Sequence, residues 1–100
     1  MRRNARVDAN QPEIVLGLRK YGATVLITSQ LKNCFDILVG FEGVNHIMEI
    51  KDENQPLSKR KLTEGEEGFK EKWQGGNYNI VKNLRQAIEV LENNTCYSKY

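Results

Sequence analysis

Apolar positions in this 100-residue chain change their period along its length, and each change marks an element. After a polar stretch at residues 1–9, Ile14, Leu16, Leu18 and Tyr21 make a broad apolar face that predicts a helix. Asn10 suits its N-cap, Pro12 its first turn, and Glu13 the far end of a capping box. Gly22 then offers a left-handed C-cap. Residues 23–29 are apolar and β-branched, which predicts a first strand.

Residues 35–51 read as a β-hairpin around a turn at Glu42-Gly43. With residues 41 and 44 flanking that turn, alternation puts Phe35, Ile37, Val39, Met48 and Ile50 on one face. Asp36, Leu38, Ile47, Glu49 and Lys51 fall on the other. Each face has apolar residues to bury, so helices are expected over both. The polar, Pro-containing residues 52–61 form a loop. Thr63 and Glu66 repeat the capping-box pattern and open a second helix carrying Phe69 and Trp73, weakened by Gly65 and Gly68 and stopped at Gly75-Gly76. Residues 78–82 make a short fourth strand. Asn83 and Gln86 cap a third helix with Leu84, Ala87, Ile88 and Leu91 at helical spacing. The helix between strands three and four allows a crossover, so those strands can be parallel in a mixed sheet. The fold class is α/β. Residues 1–9 are a mobile basic arm, 10–92 the folded domain, and 93–100 a loose tail.

Composition narrows the class. With 39% apolar and 28% charged residues, one globular domain is the default and disorder is not. The net charge of +2 is too small to argue for nucleic acid by itself. Its distribution says more: Arg2, Arg3 and Arg6 form a basic arm, and Lys59-Arg60-Lys61 a basic loop. Cys34 and Cys96 match no zinc or redox spacing, which predicts free thiols in a reducing compartment such as the cytoplasm. No hydrophobic run suggests a signal peptide or a membrane span.

Asp36 and Glu49 then stand out. They face each other across the hairpin, where two carboxylates repel. Lys51 lies two places on, on the same side. A divalent cation gives such a cluster a purpose, because magnesium takes one or two carboxylates and completes its shell with water and phosphate oxygens. A nearby lysine can hold a water or neutralise developing phosphate charge.

The pattern Asp36 followed by Glu49-Ile-Lys51 resembles the signature of the PD-(D/E)XK nucleases. Further runs are Gln11-Pro-Glu-Ile-Val15, the strand from Asp36 to Gly40, Met48 to Asp52, and Lys61-Leu-Thr63 with Phe69 and Trp73 downstream. Together they look like small stand-alone VRR-NUC domains, the virus-type replication-repair nucleases, which resemble Holliday-junction resolvases. The resemblance spans roughly residues 7–92. It implies a restriction-endonuclease-like αβββαβ core with a mixed sheet flanked by helices, plus a C-terminal helix. It also implies metal-dependent cleavage of DNA phosphodiesters. By motif position Asp36 and Glu49 are metal ligands, with the backbone carbonyl of Ile50, and Lys51 is the catalytic lysine. Glu13 matches the acidic residue of the first helix, assisting the metal or its water. Mg2+ is the implied cofactor, with Mn2+ as a substitute. Branched DNA is the implied partner and a homodimer the implied assembly. The chain departs from the family in having Cys34-Phe35 before the strand Asp, where Pro is usual, and Glu66 where many relatives have Gln.

Plainer readings stand beside these. Glu13 is fully explained as part of a capping box, and Glu66 as a cap. His46 is a lone histidine on the face opposite Glu49, solvated or partly packed. Phe69 and Trp73 are four apart on one helix face and are most simply core. Tyr97 and Tyr100 lie in the tail, where stacking on bases competes with having no structure. The alternative to an enzyme is a catalytically inactive nuclease-fold module that binds DNA or protein, and RNA is an alternative substrate.

Overall fold

The computed structural model describes residues 8–31 and 33–98, with side chains as far as Asn93. The elements are α1 (Gln11–Tyr21), β1 (Thr24–Ile27), β2 (Ile37–Phe41), β3 (Val44–Ile50), α2 (Glu64–Lys72), β4 (Tyr78–Val81) and α3 (Leu84–Ser98), with a 3-10 turn at Leu57–Lys59. The four strands form one mixed sheet in the order β1-β2-β3-β4. The first two pairings are antiparallel and β3–β4 is parallel. This is a small α/β fold.

The hairpin register follows from its turn. Glu42 and Gly43 both have positive φ, 50° and 83°, as the tight turns that match strand twist require. Phe41 therefore pairs with Val44 and Ile37 with Met48. Ile37, Val39, Met48 and Ile50 are buried against Ile14, Val15 and Leu18 of α1 and Ala87 and Leu91 of α3. Gly17 lets the two helices approach, since a Cβ there would collide with Leu84.

The other face is covered more thinly. Leu38, Ile47 and Tyr78 lie in one row across β2, β3 and β4, and α2 meets it through Phe69, whose ring centroid is 6.2 Å from that of Tyr78. No residue of α2 is buried. Trp73 remains 38% exposed while stacking on Phe69, so this pair lines the edge of α2 rather than the main core. Phe35 also departs from its expected face. It precedes β2, where Asn33 takes a positive φ, and its ring packs 5.7 Å from Phe69.

The helix ends show which local signals survive tertiary contacts. At α2 the Thr63/Glu66 capping box forms in full. At α3 the Asn83 side chain accepts the Gln86 N–H at 2.8 Å. At α1 the expected cap does not form: Asn10 is helical in conformation and its amide donates to the Lys82 carbonyl at 3.0 Å, tying α1 to the end of β4. Glu13 is exposed and closes no box. Gly22 caps α1 at φ 113° as expected.

Three boundaries differ from the sequence reading. The helix α3 runs to Ser98 rather than loosening at Asn93, because no Gly or Pro interrupts it there. Asp8 is half-buried and its carbonyl accepts the Gln11 N–H, so Asp8 and Ala9 belong to the fold rather than to the polar arm. Cys34 is a free thiol in the connection between β1 and β2, not a strand residue. The arginines of the arm, Tyr100 and the side chains of Cys96 and Tyr97 lie outside the described residues. No helix among the described residues is long and apolar enough to cross a membrane.

Candidate active site

Asp36 sits one residue before β2 and is held on three sides. Its N–H donates to the Met48 carbonyl at 3.1 Å, and its own carbonyl accepts the Thr28 N–H at 2.8 Å. Its carboxylate accepts the Ile50 N–H at 2.7 Å. Glu49 and Lys51 project from the end of β3 and are 2% and 6% exposed. Lys51 is anchored by its N–H to the Val81 carbonyl of β4 at 2.9 Å. Asp36, Glu49, Ile50 and Lys51 therefore converge on one cavity of about 510 Å³.

Two acids that the sequence pattern did not favour complete its wall. Glu66 in the first turn of α2 reaches Lys51, with Oε1 2.8 Å from Nζ. The same oxygen accepts the Thr63 N–H at 2.8 Å, so the cap and the site share one carboxylate. Asp8, just before α1, lines the cavity as well. Glu13 does not: it lies off the buried face of α1, which is formed by Gln11, Ile14, Val15 and Leu18. No period or spacing marks Asp8, whereas the capping-box pattern at Thr63 and Glu66 located the helix start but not its neighbour.

The electrostatics follow from crowding. Burial, then contact with Glu66 and the charge of Asp36, push the Glu49 carboxyl up to about 10. In the cation-free protein Glu49 is the group that keeps its proton. Burial also raises Asp36, against the opposing effect of the Ile50 N–H and Glu49. Burial disfavours the Lys51 ammonium, but Glu66 at contact and the charges of Glu49 and Asp8 outweigh it and raise its pKa. Burial likewise works against ionised Glu66, and its contacts with Glu49, Lys51 and Thr63 win, leaving it below its ordinary value. Asp8 is raised, first by burial.

Lys59 and Lys61, exposed on the loop after β3, line the same cavity, as do Gln55, Ser58 and Thr63. The cavity thus has an acidic floor and a basic rim. Among the described residues no three His, Cys, Asp or Glu side chains stand ready as a complete metal cage. The donor chemistry nevertheless fits a hard divalent cation: the carboxylates of Asp36 and Glu49 and the backbone at Ile50 line the cavity as oxygen donors. A cation there would offset the burial and carboxylate crowding that otherwise keep a proton on Glu49.

His46 occupies the core side of β3, opposite Val39, fully buried with both ring nitrogens unpartnered. It is more deeply packed than the sequence suggests, and burial lowers its pKa. It takes no part in the cavity.

Compared with known proteins, the chain matches no family model, no curated protein and no solved structure.

Proposed function

We propose that this protein is a magnesium- or manganese-dependent nuclease that hydrolyses DNA phosphodiesters, with a restriction-endonuclease-like core of the VRR-NUC type. The observation that carries the reading is the convergence of Asp36, Glu49, Ile50 and Lys51 on one cavity rimmed by Lys59 and Lys61. Acids alone would repel a phosphate, and a basic rim alone would bind one without acting on it. The combination suits an anion brought to a cation.

In this reading Asp36 and Glu49 hold the metal, with the Ile50 carbonyl as a third protein ligand. A bound divalent ion supplies positive charge to the scissile phosphate and lowers the pKa of its water. Asp36 is oriented by the Ile50 N–H. Glu49 would hold the ion as its carboxylate, its proton passing to solvent. Lys51, buried beside the cavity, points its ammonium at the position where water or phosphate oxygen gathers, and Glu66 sets that direction. Lys59 and Lys61 attract the flanking phosphates. Glu13 is left without a catalytic role, its exposed position being the reason. Branched DNA is the proposed substrate and a homodimer the proposed assembly, since twofold symmetry sets two sites against two strands.

The test is a panel of labelled junction, flap and linear DNAs, with an RNA counterpart, incubated with magnesium or manganese. Wild type is expected to cleave, and Glu49→Gln and Lys51→Ala to lose cleavage. Equal behaviour of all three proteins would sink the enzyme reading and leave a DNA-binding module.

A further inference from the structure

Behind the cavity stands a polar group that the proposed chemistry has not used. Tyr78 begins β4 and pairs with Ile47, while Ile80 pairs with Glu49. Tyr78 and Glu49 therefore point to the same side of the sheet as diagonal neighbours. With adjacent strands about 4.8 Å apart and two residues rising about 6.6 Å, such neighbours are roughly 8 Å apart at the backbone, within reach of an aromatic and a long side chain. The Tyr78 ring is set by packing against Phe69. Its hydroxyl is buried and has no hydrogen-bond partner, and Oε1 of Glu49 is buried without one too. A donor lacking an acceptor and an acceptor lacking a donor thus occupy adjoining places on one face.

Buried groups of this kind are rarely left unpaired. The other nearby carboxylates are already engaged: Glu66 by Lys51 and Thr63, and Asp36 by the Ile50 N–H. Glu49 is the one with capacity to spare. The phenol is a durable donor, since burial and then the charges of Glu49, Glu66 and Asp36 push it up to about 12.

We infer that Tyr78 is a positioning residue for Glu49, its hydroxyl joined to Oε1 of the Glu49 carboxyl through one buried water. Tyr78 does not line the cavity, so it touches neither substrate nor cation. It fixes the carboxylate from behind and leaves the front oxygen directed at the cavity. Outer hydrogen bonds of this type typically contribute 10–100-fold to metal affinity. The functional consequence rests on the metal-dependent reading above, whereas the Tyr78–Glu49 link does not.

The variant Tyr78→Phe removes the hydroxyl and keeps the ring. Two measurements on the full chain decide the matter. Calorimetric titration with Mn2+ is expected to show at least about 10-fold weaker binding in the variant, with the melting temperature of the metal-free protein not raised. The crystal structure of the wild type is expected to show one water bonded to both Tyr78 Oη and Glu49, and that of the variant to lack this link. Equal Mn2+ affinity would overturn the positioning role. An Oη bonded elsewhere, or no density joining the two groups, would overturn the link. If wild type binds no Mn2+, the metal reading fails, and the crystal structures still decide the link.

Discussion

Lys51 Nζ stands 2.8 Å from Glu66 Oε1, the oxygen that also accepts the Thr63 N–H. One carboxylate oxygen closes a helix cap and holds the ammonium of the site. The direction of Lys51 is therefore coupled to the docking of α2, an element with no buried residue of its own. Gly65 helps this docking, because a Cβ there would collide with the Asn33 side chain.

That coupling is testable away from the cavity chemistry. Thr63→Ala removes the cap hydroxyl and should cost about 0.5–2 kcal/mol in urea unfolding. Cleavage should fall as well, because Glu66 loses its fixed place. A variant that is destabilised yet cleaves at the wild-type rate would uncouple the cap from Lys51.

Glu49 makes stability depend on pH in an unusual sense for an acid. Its folded pKa of about 10 lies above the ordinary value of 4.5, so between these values the folded state holds a proton that the unfolded state has released. The stabilisation is complete below about pH 4.5 and is lost as pH rises toward 10. The slope is at most about 1.4 kcal/mol per pH unit. Glu49→Gln should flatten it, and magnesium should raise the wild-type melting temperature most at high pH. Denaturant titrations at pH 6, 7.5 and 9 check this, and parallel curves for the two proteins would refute it.

Asp36 carries a structural load as well as a proposed metal. Asp36→Ala leaves the Ile50 N–H without its acceptor and should destabilise by about 1–3 kcal/mol. Asp36→Asn retains an acceptor oxygen and should lose much less, while abolishing the metal-induced rise in melting temperature. Chemical unfolding with and without Mn2+ separates the two effects.

Glu13 gives the control. It is exposed and lies outside the cavity. Glu13→Gln should change stability by no more than about 0.5 kcal/mol and leave cleavage at the wild-type rate. A large loss of cleavage would show that the helix start moves toward the cavity when substrate binds.

His46 sets an acid limit. Burial lowers its pKa below the ordinary 6.5, so as pH falls below 6.5 the unfolded state takes up a proton first. Its contribution to stability is complete above about pH 6.5 and is lost as pH falls toward the folded value. His46→Leu should therefore gain relative to wild type as pH drops from 7 to 5, measured by thermal unfolding. A constant difference across that range would contradict the buried neutral imidazole.

The hairpin and its charged face were legible in the chain because they depend on local rules. Glu42-Gly43 sets the turn, the turn sets the register, and the period of two sends Asp36, Glu49 and Lys51 to one side. Three of the proposed site residues thus follow from about 16 residues of sequence. The Thr63/Glu66 box was legible for the same reason. The helix between β3 and β4 allowed a crossover, and the structure has the parallel pairing.

Docking decided the rest. Glu66 reaches Lys51 only because the loop after β3 carries α2 back over the sheet, a placement that no period in the sequence encodes. Asp8 joins the cavity, and Glu13 does not, because the apolar face of α1 fixes the rotation of that helix on the core. Asn10 abandons its cap because the Lys82 carbonyl is a better placed partner in space. By itself the sequence determined the strands, the register of the β2–β3 hairpin and a co-facial trio, since these need only neighbours along the chain or across one turn. Tertiary structure decided which carboxylates surround that trio and which hold protons, since burial and charge crowding arise only when distant segments meet.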